Sequence, residues 1–168
     1  MLYDAGVIAS SASSNVPLRA SQAPLRTSEA LLQGLLAHLR RCRREKKPRV
    51  TKLYPEGWLI GYKQLLDESG VSLPAAWMTA PLAEMATYAA SCGWPDLAAL
   101  VVNQAKGYPG PGYFKRPGAP MPESPSKRHL QQWRQSALAC MEPWPLPRGT
   151  VRFARRSALK RQEELEGS

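Results

Sequence analysis

The sequence predicts an α+β protein: a small, mostly helical domain with a short sheet. Three observations lead there. Apolar residues recur at helical spacing in four separate segments, each bounded by cap or breaker residues. One run, "LAALVVN" at 97–103, has the apolar, β-branched character of a short buried strand. Sixteen prolines in 168 residues, against an average usage of about 5%, cut the chain into short elements with irregular connections.

Residues 1–26 are rich in Ser, Ala and Pro and show no sustained period. They offer little apolar area to offset ordering entropy, so a disordered N-terminal segment is expected there. The segment "TSEALLQGLLAHLRRCRREKK" follows and reads as a helix. Thr27 or Ser28 caps it, Glu29 sits near its positive dipole end, and Pro48 ends it. Leu31, Leu32, Leu35, Leu36 and Leu39 lie on one face. Its end is strongly basic, with eight cations and only Glu45 opposing them between 40 and 52. Residues 27–52 are therefore read as a Leu-faced helix with a basic end.

Residues 53–145 are expected to form the compact α+β core. "YKQLLDESG" is a short helix closed by Gly70. "APLAEMATYAASCG" is a longer one, with Pro81 in its first turn, Leu82, Met85, Ala86 and Ala89 inside, and Gly93 as the stop. "LAALVVN" is the buried strand. After the glycine loop, "SKRHLQQWRQSALACMEPW" is a helix capped by Ser124 with Pro125 at its first position. Its inner face carries Leu130, Trp133, Ala137, Cys140 and Met141, and Pro143 and Pro145 end it. Residues 146–168 are read as a basic, charged tail with a short strand at 151–154.

Charge sets the class of partner. The chain carries a formal net charge of +10, while 53–104 is acidic, with Lys63 facing five carboxylates. Cations thus concentrate in 40–52, 106–134 and 148–161, which points to a polyanion: DNA, RNA or an acidic protein surface. Cys42, Cys92 and Cys140 are odd in number and widely spaced. They suit neither a disulfide framework nor a zinc site and point to a reducing compartment. The N-terminus lacks the basic opening of a secretory signal. No apolar stretch reaches the roughly 18 residues of a membrane span. A soluble cytoplasmic protein is expected.

The layout of the middle of the chain carries a resemblance. The order "WLIGYKQLLDESG", a proline-led helix, "LAALVVN" and then "KGYPGPGYF" resembles the winged helix-turn-helix half of O6-alkylguanine-DNA alkyltransferases and alkyltransferase-like proteins. Ile60, Tyr62 and Leu65 match the family's first pattern, and Gly107, Gly110, Gly112 and Tyr113 match its wing, over about residues 58–114. The family's Pro-Cys-His-Arg motif has no counterpart here. "LPAAWMTAPLAEM" also lacks the arginine that replaces an extruded base. The resemblance therefore implies a winged-helix-like fold and duplex binding, and not alkyl transfer.

The loop "KGYPGPGYFKR" does not read as a phosphate cradle. A cradle opens into a helix N-terminus, whereas Pro109, Pro111 and Pro117 are expected to keep this segment out of a helix. A tight turn explains the glycines. Cations interleaved with aromatics add a surface on which bases could stack. No catalytic motif is present. His38 and His129 read as solvated surface residues, and Cys92 as a small buried residue at a helix end.

The expected function is a non-catalytic nucleic-acid-binding module that uses no cofactor or metal. Its phosphate and base contacts are assigned to Arg40, Arg41, Arg43, Arg44, Lys46, Lys47, Arg49, Lys52, Lys106, Tyr108, Tyr113, Lys115, Arg116, Arg152, Arg155 and Arg156. The alternative is an adaptor or inhibitor, such as a mobile element would encode, docking on an acidic surface of a host complex. Trp58, Trp77, Trp94 and Trp144 would be its anchors if they are not core residues.

Overall fold

The computed structural model describes residues 26–115 and 124–153. The leucine helix is the centre of the fold. Helix α1 spans Thr27–Arg44 and packs against α2 (Tyr62–Ser69) and α3 (Thr79–Ser91). All five predicted leucines are fully buried, as are His38 and Cys42, and Ser28 and Glu29 are nearly so. Burying one leucine favours the folded state by roughly 1.5–3 kcal/mol relative to exposure, so this helix anchors the core rather than covering it. Gly34 lets α2 approach: a Cβ there would strike the Ser69 side chain and lie 3.4 Å from Leu65.

The ends of α1 differ from expectation. Its N-cap is Arg26, and Thr27 and Ser28 lie in the first turn, where Glu29 closes the cap by accepting from the Arg26 N–H. The helix ends at Arg44, four residues before Pro48. Lys46 takes a left-handed φ of 52° there and turns the chain away.

The sheet is minimal. Strand β1 (Ile60–Gly61) pairs in parallel with β2 (Val101–Val102), with Ile60 opposite Val101. "LAALVVN" is buried as expected, but Leu97–Leu100 is a 3₁₀ turn, so the strand is two residues long. Gly70 and Gly93 close α2 and α3 with φ of 67° and 73°, as their sequence positions predict. Helix α5 spans Lys127–Met141. Its cap is Ser126, whose hydroxyl accepts from the His129 N–H at 3.1 Å, so Pro125 precedes the cap instead of opening the helix. Trp133, Ala137, Cys140 and Met141 face the core. The Trp133 indole N–H donates to the Ala99 carbonyl at 2.8 Å and ties α5 to the 97–100 turn.

The polypeptide past 145 is not a free tail up to residue 153. Val151 and Phe153 are buried. Phe153 stacks on Tyr88 at 4.3 Å, and its N–H donates to the buried Glu29 carboxylate. Residues 151–153 form no strand, and Ala154 lies outside the described residues. Among the described residues, no helix is long and apolar enough to cross a membrane.

Candidate functional site

The basic end of α1 does not act as one set. Arg41 is turned inward. Its Nη2 donates to Glu68 Oε1 at 2.9 Å and to His38 Nδ1 at 2.9 Å, and its guanidinium lies 4.4 Å from the Tyr54 ring centre. Arg41 is therefore a structural clamp between α1, α2 and Tyr54, and its assignment to a phosphate is corrected. Lys47 also leans over Tyr54, at 5.2 Å, and pairs with Glu45 at 3.6 Å. Lys52 pairs with Glu56 at 3.9 Å. Both of those side chains are well exposed, so the pair holds Lys52 weakly.

His38 is not a surface residue. It is fully buried, its Nε2–H donates to the Trp58 carbonyl at 2.7 Å, and Nδ1 accepts from Arg41. That pattern is the neutral imidazole. Burial holds its pKa below the ordinary histidine value, with the nearby Arg41 charge acting in the same direction.

The remaining arginines gather around one segment of chain. Residues 142–148 cross the C-terminal end of α1. Arg40 donates to the Pro147 carbonyl at 2.6 Å, and Arg43 to the Glu142 carbonyl at 3.4 Å. Arg49 pairs with the Glu142 carboxylate at 3.1 Å. Arg43 also lies 5.7 Å from the Trp144 ring centre. Burial, then the proximity of Arg49, lowers the pKa of Arg43. Arg44 and Lys46 are exposed beside them, and Arg148 directly follows Pro147. Among the described residues at this end of the molecule nine cations, Arg148 included, meet four carboxylates: Glu45, Glu56, Glu68 and Glu142.

The glycine loop is built differently from its sequence reading. Asn103 starts a turn in which its side-chain oxygen accepts from the Ala105 and Lys106 N–H groups, and Gly107 closes it with φ of 76°. The chain then makes one helical turn, α4 (Pro111–Phe114), with Pro111 at its first position. Proline thus opens a helical turn here rather than forbidding it, because its fixed φ and missing N–H suit that position. The turn carries the aromatics inward. Phe114 is buried, and Tyr113 is half-buried and donates its hydroxyl to Asp96 Oδ2 at 3.0 Å. Tyr108 is half-buried against the core. An exposed stacking platform of Tyr108 and Tyr113 is therefore corrected: their rings are worth more in the core than in water. Lys106 and Lys115 remain exposed. Phe114 stacks on His129 at 5.9 Å, which brings this turn to the start of α5, where Lys127 and Arg128 are exposed.

Among the described residues two basic regions result, one at each end of α5. Its 15 residues span about 22 Å at 1.5 Å per residue. Arg152 is half-buried, while Arg116, Arg155 and Arg156 lie outside the described residues.

Between α3 and the glycine loop lies a cavity of about 620 Å³. Met78, Leu82, Ala86, Ala98 and Val101 give it apolar walls, and Tyr62, Asp96, Asn103 and Tyr113 add polar groups. No sequence signal marked it. Gly112 seals the loop to α3, since a Cβ there would sit 2.6 Å from Thr79 Cγ2. Cys92 is exposed, contrary to its reading, because α3 ends before the chain turns inward at Trp94. Of the four tryptophans weighed as anchors, Trp58 is buried, Trp94 and Trp144 pack on each other at 5.9 Å, and Trp77 is 68% exposed. Among the described residues no cluster of His, Cys, Asp and Glu is placed to hold a metal ion. Compared with known proteins, the chain matches no protein family, no curated protein and no solved structure.

Proposed function

We propose that the protein binds nucleic acid through its phosphate backbone, without catalysis, using the arginine-rich end of α1. The observation that supports this is the crowding of Arg40, Arg43 and Arg49 around residues 142–148, where cations outnumber carboxylates. Crowded arginines repel one another, and phosphates relieve that repulsion while accepting their forked N–H groups. Lys106, Lys115, Lys127 and Arg128 form the second contact region. The length of α5 separates the two by about the rise of six base pairs of duplex. Sequence reading is not part of the proposal. In the winged-helix resemblance α3 would enter the groove, and its first turn, Thr79, Ala80 and Pro81, offers no Arg, Asn or Gln to a base edge.

The test is fluorescence anisotropy with a 20-base-pair duplex and the matching single strand between 50 and 200 mM salt. Neutralising about five phosphates gives a log–log slope near −4.5, an affinity loss of about 500-fold over that range. Arg44→Gln with Lys46→Asn removes two exposed cations that have no partner among the described residues, and lessens the slope by about 2. A salt-independent affinity, or a slope unchanged in the double variant, overturns the proposal.

The exposure of Trp77 supports a second reading, an adaptor that anchors a protein partner. One stoichiometric protein recovered after nuclease treatment, and lost in Trp77→Ala, supports that reading over the first.

A further inference from the structure

We propose that residues 142–148 are an autoinhibitory strap, a ribbon of acceptors that occupies the arginine face and yields it to a polyanion. The inference rests on the nucleic-acid reading above and adds its regulation.

Three observations carry it. The first is what holds the arginines. Arg40 and Arg43 stand on α1 and Arg49 just past it, and all three bond to this one segment. Arg40 Nη2 donates to the Pro147 carbonyl at 2.6 Å and Arg43 Nη2 to the Glu142 carbonyl at 3.4 Å. Arg49 Nη1 donates to the Glu142 carboxylate at 3.1 Å. Guanidinium N–H groups are the donors that a phosphate takes. A polyanion approaching this face therefore meets donors already engaged.

The second observation is the chemistry of the strap. Its sequence, "EPWPLPR", places proline at 143, 145 and 147. Proline has no backbone N–H, so the segment is poor in donors. The Glu142 N–H is turned back to the Ala139 carbonyl. What the strap gives the three arginines is two carbonyl oxygens and one carboxylate. Acceptors carrying negative charge are also what a phosphate backbone offers.

The third is that these contacts break without unfolding the protein. The Arg49 and Glu142 side chains are 52% and 62% exposed, so their pair is weak. Each arginine gives the strap one nitrogen, whereas a phosphate accepts two from one guanidinium and brings a full charge. The strap has its own anchors. The Trp144 indole N–H donates to the Cys140 carbonyl at 3.1 Å, the Trp144 ring packs on Trp94, and Leu146 packs against the core. The arginines thus exchange partners while Trp144 and Leu146 keep the strap tethered. A face that is open for only a fraction of the time binds more weakly by that fraction.

The experiment compares full-length proteins by anisotropy with the same duplex at about 100 mM salt. Glu142→Gln removes the strap's carboxylate at an exposed position and is expected to tighten binding by about three- to fivefold. Glu56→Gln removes the same charge at the same end of the molecule, beside Lys52 and outside the strap, and is expected to tighten it by less than about twofold. In the isotope-labelled wild-type protein, saturating duplex is expected to move the carbonyl carbons of Glu142 and Pro147 upfield, as the hydrogen bonds from Arg43 and Arg40 are lost. Absence of nucleic-acid binding at about 50 mM salt overturns the nucleic-acid reading and this inference with it. Salt-dependent binding with equal gains from the two variants, or with both carbonyl carbons unmoved, overturns this inference alone.

Discussion

Lowering the pH from 7 to 5 should destabilise this protein through His38, and His38→Gln should remove that sensitivity. The imidazole is fully buried and neutral, donating to the Trp58 carbonyl and accepting from Arg41. Its folded pKa lies below the unfolded value of 6.5, first because burial penalises the charged ring and also because Arg41 is beside it. The sign follows from linkage. Well above pH 6.5 both states are neutral at this site and it contributes no pH dependence. As pH falls below 6.5 the unfolded chain binds a proton that the folded chain resists, so stability drops. If the folded ring stayed wholly neutral, the loss by pH 5 would be about 2 kcal/mol, the ceiling for one group at 1.36 kcal/mol per pK unit. The hydrogen bond to the Trp58 carbonyl, and after it the nearby carboxylates Glu68 and Glu45, oppose the shift, so the measured loss should fall below that ceiling. Urea melts at pH 7, 6 and 5 test this. With a slope near 2 kcal/mol/M, the wild-type midpoint should fall by up to about 1 M. His38→Gln keeps an N–H donor for Trp58 and cannot titrate, so its midpoint should stay nearly level. Parallel midpoints for the two proteins across that range would refute the reasoning, as would a wild-type midpoint that rises with acid.

Three further outcomes are expected. Gly34→Val should destabilise by about 1–3 kcal/mol, because α1 and α2 must separate where the new side chain meets Ser69 and Leu65; thermal melts check this. Tyr113→Phe should cost about 1–3 kcal/mol, since it takes the Tyr113 hydroxyl's hydrogen bond away from a carboxylate whose other oxygen is already unpartnered; chemical denaturation measures it. At pH 8 a thiol reagent should modify one cysteine of the native protein, Cys92, and all three after denaturation. Burial pushes the Cys42 thiol up to about 11 and the Cys140 thiol up to about 12, so neither forms thiolate in the fold.

Local patterns in the sequence determined the four long helices and the stops of α2 and α3. The leucine spacing of α1, the inner face of α5, and glycines at the ends of α2 and α3 act over three or four residues, and no distant contact was needed to read them. The α+β class and the shortness of the sheet were legible for the same reason. What each charged or aromatic side chain does was decided by the path of the chain. Arg41 meets a carboxylate 27 positions away, and Arg43 a carbonyl 99 away. Tyr113 turns inward to Asp96 because α4 reverses the loop, and His38 is buried because α1 is covered on more sides than its leucine stripe implies. The cavity is the extreme case. Its walls come from α2, α3, the 97–102 segment and the glycine loop, brought together only by packing, so no stretch of sequence could announce it. Periodicity is a property of neighbours along the chain, whereas partners and empty space are properties of neighbours across it.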